Sequence, residues 1–340
     1  MNDLDPAHIL QTAMAFFPSK VLLSANELGI FTVLTEKPMT GAELCDALEL
    51  HPRANPDFFD TLAALDFLQR NGDGPEATYQ NTPQSALFLS EQSPAYVGGF
   101  LEMANTRLYP FWGNLTEGLK TGKAQNESKH SDKPLFEELY NDPARLEGFI
   151  DAMTGVQIGN VMALAEKFDF SSFKTLCDIG GSAGTLSRAV CLGHPEIKCI
   201  TTDLPPVTKI AKKRIDDAGL NDRIETRDID FLNENFPDAD VITMGNILHD
   251  WNLEVKKMLI KKAYHALPTG GAFIAIENII DDARRENVFG LLMSLNMLIE
   301  TGDGFDYTGA DFTKWCTEAG FTRTELIPLG GPASAAVAYK

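Results

Sequence analysis

The chain has 340 residues, of which 44 % are hydrophobic and 23 % charged, the usage of an ordinary folded protein long enough for more than one domain. Its formal net charge of −19 repels phosphate backbones and anionic lipid surfaces, which argues against nucleic-acid and membrane partners. No apolar run is long enough to span a bilayer, the first residues carry no basic leader, and Cys45, Cys177, Cys191, Cys199 and Cys316 are scattered without a metal-binding pair, so a cytoplasmic protein with reduced thiols and no metal is expected.

In chain order, Pro6 to Leu28 reads as an amphipathic helix, Thr40 can cap a helix over 41–48, and Pro56 opens a helix to Leu68. Turn residues from Gln69 to Pro75, followed by Thr78-Tyr79-Gln80, suggest a hairpin wing behind these helices. A winged helix raises the prospect of DNA binding, but 56–68 offers Asp57, Asp60 and Asp66 and no base, where a recognition helix needs cations for phosphate. A unit that pairs subunits and roofs a pocket fits the charge better. Residues 110–168 read as further helices with a polar surface loop over 120–133. From Thr175 the pattern becomes α/β: Thr175 to Ile179, Lys198 to Asp203, Val241 to Gly245 and Phe273 to Asn278 are strands separated by helices. Thr322 to Pro328 and Ala333 to Ala338 follow each other with only a Gly-Gly-Pro turn between, which makes the last strand antiparallel. The expected organisation is a helical winged domain over 1–105, a helical connection over 106–168 and a doubly wound α/β domain over 169–340.

The segment Asp178-Ile179-Gly180-Gly181-Ser182-Ala183-Gly184 stands between the first α/β strand and a helix from Thr185. Gly180, Gly181 and Gly184 let a ligand approach the backbone, the helix start offers N–H groups, and Asp203 at the end of the next strand suits two ribose hydroxyls. The loop also matches the G-x-S-x-G of a hydrolase, but that needs a late histidine, and the last one, His265, sits mid-helix. A dinucleotide fingerprint lacks its final glycine, since Leu186 stands there. An adenosine cofactor is the remaining reading.

With Thr202-Asp203-Leu204-Pro205, Asp230-Phe231-Leu232, Ile247-Leu248-His249-Asp250-Trp251 and Gly270-Gly271 before Ile276-Glu277, the chain resembles the plant-type O-methyltransferases, the caffeate- and hydroxyindole-type enzymes with their bacterial relatives, over nearly its whole length. The resemblance implies a class I methyltransferase Rossmann-like sheet with a winged-helix dimerisation domain, a homodimer, and S-adenosylmethionine as cofactor with S-adenosylhomocysteine as product. It implies cofactor contacts from Asp178, the three glycines, Asp203, Leu204, Asp230, Phe231, Met153, Gln157 and Trp251. His249 would be the general base, with Glu277 orienting its imidazole and Asp250 beside it. The family's second glutamate falls on Asp306, one methylene shorter.

The acceptor would be a small, flat molecule lined by Trp112, Tyr140, Phe149, Asn296 and Met297, with Arg107 available for a substrate carboxylate. Hydroxyl methylation of an aromatic metabolite is the first expectation. The alternative, also drawn from the resemblance, is S-methylation of a thioether acid such as 4-methylthio-2-hydroxybutyrate, which needs no base.

Overall fold

The computed structural model describes residues 4–130 and 142–340. The chain divides into two compact units, Met1–Pro110 and Phe111–Lys340.

In the first unit, the expected single helix of 6–28 is two, α1 (Ala7–Ala13) and α2 (Phe16–Glu27), separated by a turn in which Ala15 N–H donates to Thr12 O and Phe17 N–H to Met14 O. α3 (Ile30–Val33), β1 (Met39–Thr40) and α4 (Gly41–Ala47) follow, α4 starting from a capping box in which the Thr40 hydroxyl accepts from Glu43 N–H and the Glu43 carboxylate accepts from Thr40 N–H. α5 (Asp57–Ala64) stops short of Leu68, because the chain reverses at Asp66 (φ 61°) and Leu68 is needed as the buried first residue of β2 (Leu68–Asn71). β2 pairs antiparallel with β3 (Thr78–Asn81), and β1 adds to the other edge of β3, which completes the wing. The acids of α5 serve the unit itself: Asp60 accepts from the Tyr79 hydroxyl at 2.6 Å and pairs with Arg70 at 2.9 Å. Ile30, Phe31, Leu44, Phe59, Leu62 and Tyr79 form the core, and α6 (Pro83–Phe88) and α7 (Gly98–Met103) close the unit.

The one-turn α8 (Tyr109–Trp112) and α9 (Leu115–Thr121) lead into the second unit, followed after the undescribed stretch by α10 (Pro143–Lys167). Strands β4 (Thr175–Ile179), β5 (Lys198–Asp203), β6 (Ile224–Asp228), β7 (Val241–Gly245), β8 (Ala272–Glu277), β9 (Arg323–Gly330) and β10 (Ala333–Tyr339) form one sheet in the order β6-β5-β4-β7-β8-β10-β9. All neighbours are parallel except β10, which runs antiparallel to both β8 and β9. The edge strand β6, Ile-Glu-Thr-Arg-Asp, has only Ile224 buried, so it carries none of the apolar pattern that announces the central strands.

Alternate strand residues feed the two faces. Leu176, Val241 and Ile274 pack with Leu164, Leu186 and Ile215 on one side. Cys177, Ile242 and Phe273 pack with Leu259, Ala263 and Phe312 on the other. The covering helices include α10, α11 (Thr185–Gly193) and α12 (Pro205–Asp217) on the first face, and α13 (Leu253–Ala266) and α15 (Gly309–Ala319) on the second. α14 (Val288–Glu300) follows β8. The polar run 120–133, expected as a surface loop, is in part buried: Gln125 N–H and Asn126 Nδ2 donate, each at 2.7 Å, to the carbonyls of Ile299 and Glu300. These are carbonyls that the last turn of α14 leaves without helical partners, which is why two polar residues are worth burying there. All five cysteines are buried and free, and no described helix is long and apolar enough to cross a membrane.

Candidate active site

The carboxyl ends of β4, β5, β7 and β8 meet where the connections from β4 diverge to opposite sides of the sheet, the position at which doubly wound folds bind ligands. β4 runs into the glycine loop. Gly180 (φ 67°) and Gly184 (φ 69°) adopt left-handed backbone, and so does Ser182 (φ 49°) between them. The glycines answer first to the protein's own packing. A Cβ at Gly180 would lie 2.5 Å from Ile247 Cδ1, and one at Gly181 would lie 2.8 Å from Asp178 Oδ2 and from Thr201 Cγ2.

Asp178, expected among the cofactor contacts, is instead turned into the sheet. It is 3 % exposed, its Oδ1 accepts from the Thr243 hydroxyl at 2.7 Å, and burial pushes its carboxyl up to about 7. It braces the loop from below. Asp203 closes across the loop's other side: Oδ2 accepts from Ser182 N–H at 3.0 Å and Oδ1 from Leu204 N–H at 2.8 Å. Burial pushes this carboxyl up to about 6, against those two backbone bonds. Each oxygen keeps lone-pair capacity for a ligand hydroxyl.

The Asp230-Phe231-Leu232 turn is held by its own bonds and by a lysine that the sequence does not single out. Asp230 accepts from Asn233 Nδ2 at 2.7 Å and Leu232 N–H at 3.0 Å, and the Asn233 bond foremost holds its carboxyl below the usual range. Lys262 Nζ donates to the carbonyls of Phe231, Leu232 and Glu234 at 2.8–2.9 Å. It is one of four lysines on α13, so local pattern gives it no mark. The Phe231 and Trp251 rings meet edge to face with centroids 6.1 Å apart, and Trp251 Nε1 is buried without a hydrogen-bond partner among the described residues.

α10 comes to this corner through Leu146 and Ile150, which pack on Ala183 of the glycine loop and Val207 of α12. Met153 and Gln157 follow on the same helix, half-buried, with Gln157 Oε1 accepting from Asn160 at 3.2 Å. Phe149, expected to line the acceptor, is half-buried and packs against the cluster of Leu146, Ile150, Ala183 and Val207.

His249 lies on the short 3₁₀ turn Leu248–Asp250 that follows β7, 4 % exposed. Glu277, at the end of β8, does not reach the ring as expected. Its Oε1 accepts from the backbone N–H of His249 at 3.1 Å, fixing the turn. The neighbour of the ring is Asp306, whose Oδ1 stands 3.4 Å from Nδ1, and Asp250 Oδ1 stands 3.6 Å from Nε2. The shorter side chain of Asp306 suffices because its backbone is drawn in close, with Asp306 N–H donating to Ser294 Oγ at 3.1 Å. Burial by itself would lower the proton affinity of His249, but Asp250, Asp306 and Glu277 together raise it, to about 10. The same crowding, with burial first, pushes Glu277 up to about 7 and Asp250 upward. The protons belong to the cluster as a whole.

On α14, Asn296 and Met297 are buried, and Asn296 Oδ1 accepts from Trp112 Nε1 at 2.9 Å, joining two of the expected acceptor residues. Arg107 belongs to the first unit, on the π-helical turn Ala104–Leu108, and has an interaction of its own. Tyr140 lies outside the described residues.

The donor set at the glycine loop fits an adenosylated sulfonium. A carboxylate at a strand end suits ribose hydroxyls, a glycine-lined turn leads into the α11 N-terminus, an orphaned indole N–H stands ready, and two aromatic faces suit a soft cation.

Comparison with known proteins agrees. The O-methyltransferase domain family matches residues 112–322, and the O-methyltransferase dimerisation domain matches 10–91. The chain is 37 % identical to the tetracenomycin polyketide synthesis 8-O-methyl transferase TcmO of Streptomyces glaucescens, across 98 % of this chain and 97 % of that one. It is 31 % identical to the N,N-dimethyltransferase OxyT of Streptomyces rimosus, across 92 % and 90 %. Human N-acetylserotonin methyltransferase in complex with SAM superposes with a TM-score of 0.90 at 28 % identity, covering 100 % of this chain and 99 % of the other. The names of TcmO and OxyT specify oxygen and nitrogen chemistry and lend no support to the thioether alternative. The chain belongs to the S-adenosylmethionine-dependent O-methyltransferase family, as an enzyme of the small-molecule type.

Proposed function

We propose that the acceptor is an aromatic hydroxyl and that His249 is the base that takes its proton. The carrying observation is the setting of His249, a buried imidazole with carboxylate oxygens at 3.4 and 3.6 Å from its two ring nitrogens. A phenol releases its proton near 10, so transfer to the neutral form of an imidazole raised to about 10 is nearly level, and that form becomes available as pH rises toward this value. An aliphatic alcohol is far too weak an acid to profit from this match. The cofactor supplies an electrophilic methyl group when bound. The protein's part is to hold the acceptor oxygen against His249, exclude water and keep the proton on the imidazole, where the carboxylates stabilise the resulting cation.

Apolar and polar lining supports a flat ligand. Trp112, Asn296 and Met297 offer one aromatic face, one tethered amide and one adaptable thioether. In the first unit, Ile9, Leu10, Met14, Phe16 and Phe17 are about half or more exposed, an apolar stripe that suits burial in a homodimer through the dimerisation domain. Light scattering tests this, and a monomer would refute it.

The test of the reaction is transfer of labelled methyl from S-adenosylmethionine to a panel of phenols, aryl amines and thioether acids, with products identified by mass. An aryl ether is expected, and its loss by about 10²- to 10⁴-fold in His249→Ala with cofactor binding retained supports the base. A sulfonium product, or full turnover by the variant, rejects the reading.

A further inference from the structure

Lys256 is the feature of this site that the reaction as described does not use. It lies in the first turn of α13, where the helix dipole disfavours a cation, and it is 0 % exposed, where burial disfavours any charge. An apolar residue would fill the space at no such cost, so the ammonium must be held by something. Its Nζ donates to the carbonyl of Trp251, two residues after His249, and stands 3.6 Å over the ring of Phe305, the residue before Asp306. The Tyr307 ring lies 6.0 Å away. Lys256 therefore touches both segments that converge on the imidazole: the turn carrying His249, Asp250 and Trp251, and the segment carrying Phe305, Asp306 and Tyr307.

The charge balance explains its presence. Around His249 stand Asp250 from its own turn, Glu277 from the end of β8 and Asp306 from the segment before α15, three acids against one imidazole. Were all three ionised, this dry volume would hold two excess negative charges even with the imidazole protonated. A second cation reduces that excess to one.

We propose that Lys256 is a positioning residue of the methyl-transfer site, an internal counter-ion to the acids around His249 that also ties the Trp251 turn to the Phe305–Asp306 segment. The attraction runs both ways. The ammonium favours the charged forms of Glu277 and Asp250, and the three acids offset part of the loss that burial imposes on the lysine, which still falls to about 8. Below that pH Lys256 is charged, and replacing it by a neutral side chain must make the protons of Glu277 and Asp250 harder to remove. The inference uses the proposed base in its setting, but the counter-ion role holds whichever proton His249 moves.

The test uses the imidazole as reporter of the cluster. In the full-length enzyme with ¹⁵N-labelled histidine, the His249 signal is assigned by its loss in His249→Gln and followed with pH. Its ring senses the carboxylates beside it. In Lys256→Met the protonation step seen below pH 8 should move up by about one unit, and in Lys256→Arg, which keeps the charge, it should stay near its original place. Coincident titrations in the native and Met proteins overturn the proposal and leave Lys256 a mere filler of space. Should Lys256→Met not fold, ¹³Cε-lysine labelling of the native enzyme decides: one lysine titrating below the ordinary range and displaced by Asp306→Asn supports the role, and all lysines titrating as exposed ones overturn it. If the step below pH 8 moves but kcat/KM follows no ionisation of His249, the base assignment fails and the counter-ion stands.

Discussion

The carboxylate of Asp306 stands 3.4 Å from the His249 ring, while Glu277 spends its nearer oxygen on the His249 backbone at 3.1 Å. The two acids therefore have different tasks, one electrostatic at the ring and one holding the turn.

This division separates two variants. Asp306→Asn removes the charge beside Nδ1 and should lower kcat by about 10- to 100-fold. Glu277→Gln keeps a carbonyl oxygen for the backbone N–H and should cost less than about tenfold. Steady-state kinetics on the alkaline plateau of each protein measures both, and a larger loss for Glu277→Gln would reverse the assignment.

The pH dependence has a definite sign. A base must be unprotonated to act, and the neighbouring acids raise His249 to about 10, so kcat/KM should climb with pH through neutrality and continue rising beyond pH 8. Removing the Asp306 charge should shift that acid limb to lower pH. A plateau reached by pH 7 would mean an imidazole of ordinary affinity and would exclude the proposed match to a phenol.

Asp178 makes a prediction about stability. Its carboxyl is raised from 3.8 to about 7 in the folded protein by burial. A raised group contributes stability that is complete below its unfolded value and is lost as pH rises through the folded value, here between about pH 4 and 7. Asp178→Asn keeps an acceptor for the Thr243 hydroxyl and carries no charge to bury. Its stability relative to the native apoenzyme should thus improve by about 2–4 kcal/mol between pH 4 and 8. Denaturant melts at the two pH values check this, and parallel shifts in both proteins would contradict it.

Trp112→Phe deletes the indole N–H that Asn296 Oδ1 accepts at 2.9 Å. With the amide untethered, the KM for the acceptor should rise by about tenfold while cofactor affinity stays unchanged. Equal loss of cofactor affinity would show that the pair supports the whole domain rather than the acceptor side.

Much of this molecule is legible in one dimension because its signals are local. The central strands β4, β5 and β7 announce themselves as short apolar runs, the glycine loop by residues that alone tolerate its backbone, and the terminal hairpin by a turn too short for a crossover. The cofactor, the winged unit and the histidine turn follow from such runs and from family motifs. What the sequence could not order is contact at long range. Whether Glu277 or Asp306 faces the imidazole depends on which segments close on it, since the shorter Asp306 stands at the ring and Glu277 on the His249 backbone. The burial of Gln125 and Asn126 depends on bare carbonyls at the end of a helix some 170 residues away. Lys256 and Lys262 look alike along α13, yet one is sealed between the Trp251 carbonyl and the Phe305 ring and the other props the Asp230 turn. Charge and hydrogen-bonding partners in a dry interior are set by which surfaces close on them, and only the tertiary structure decides that.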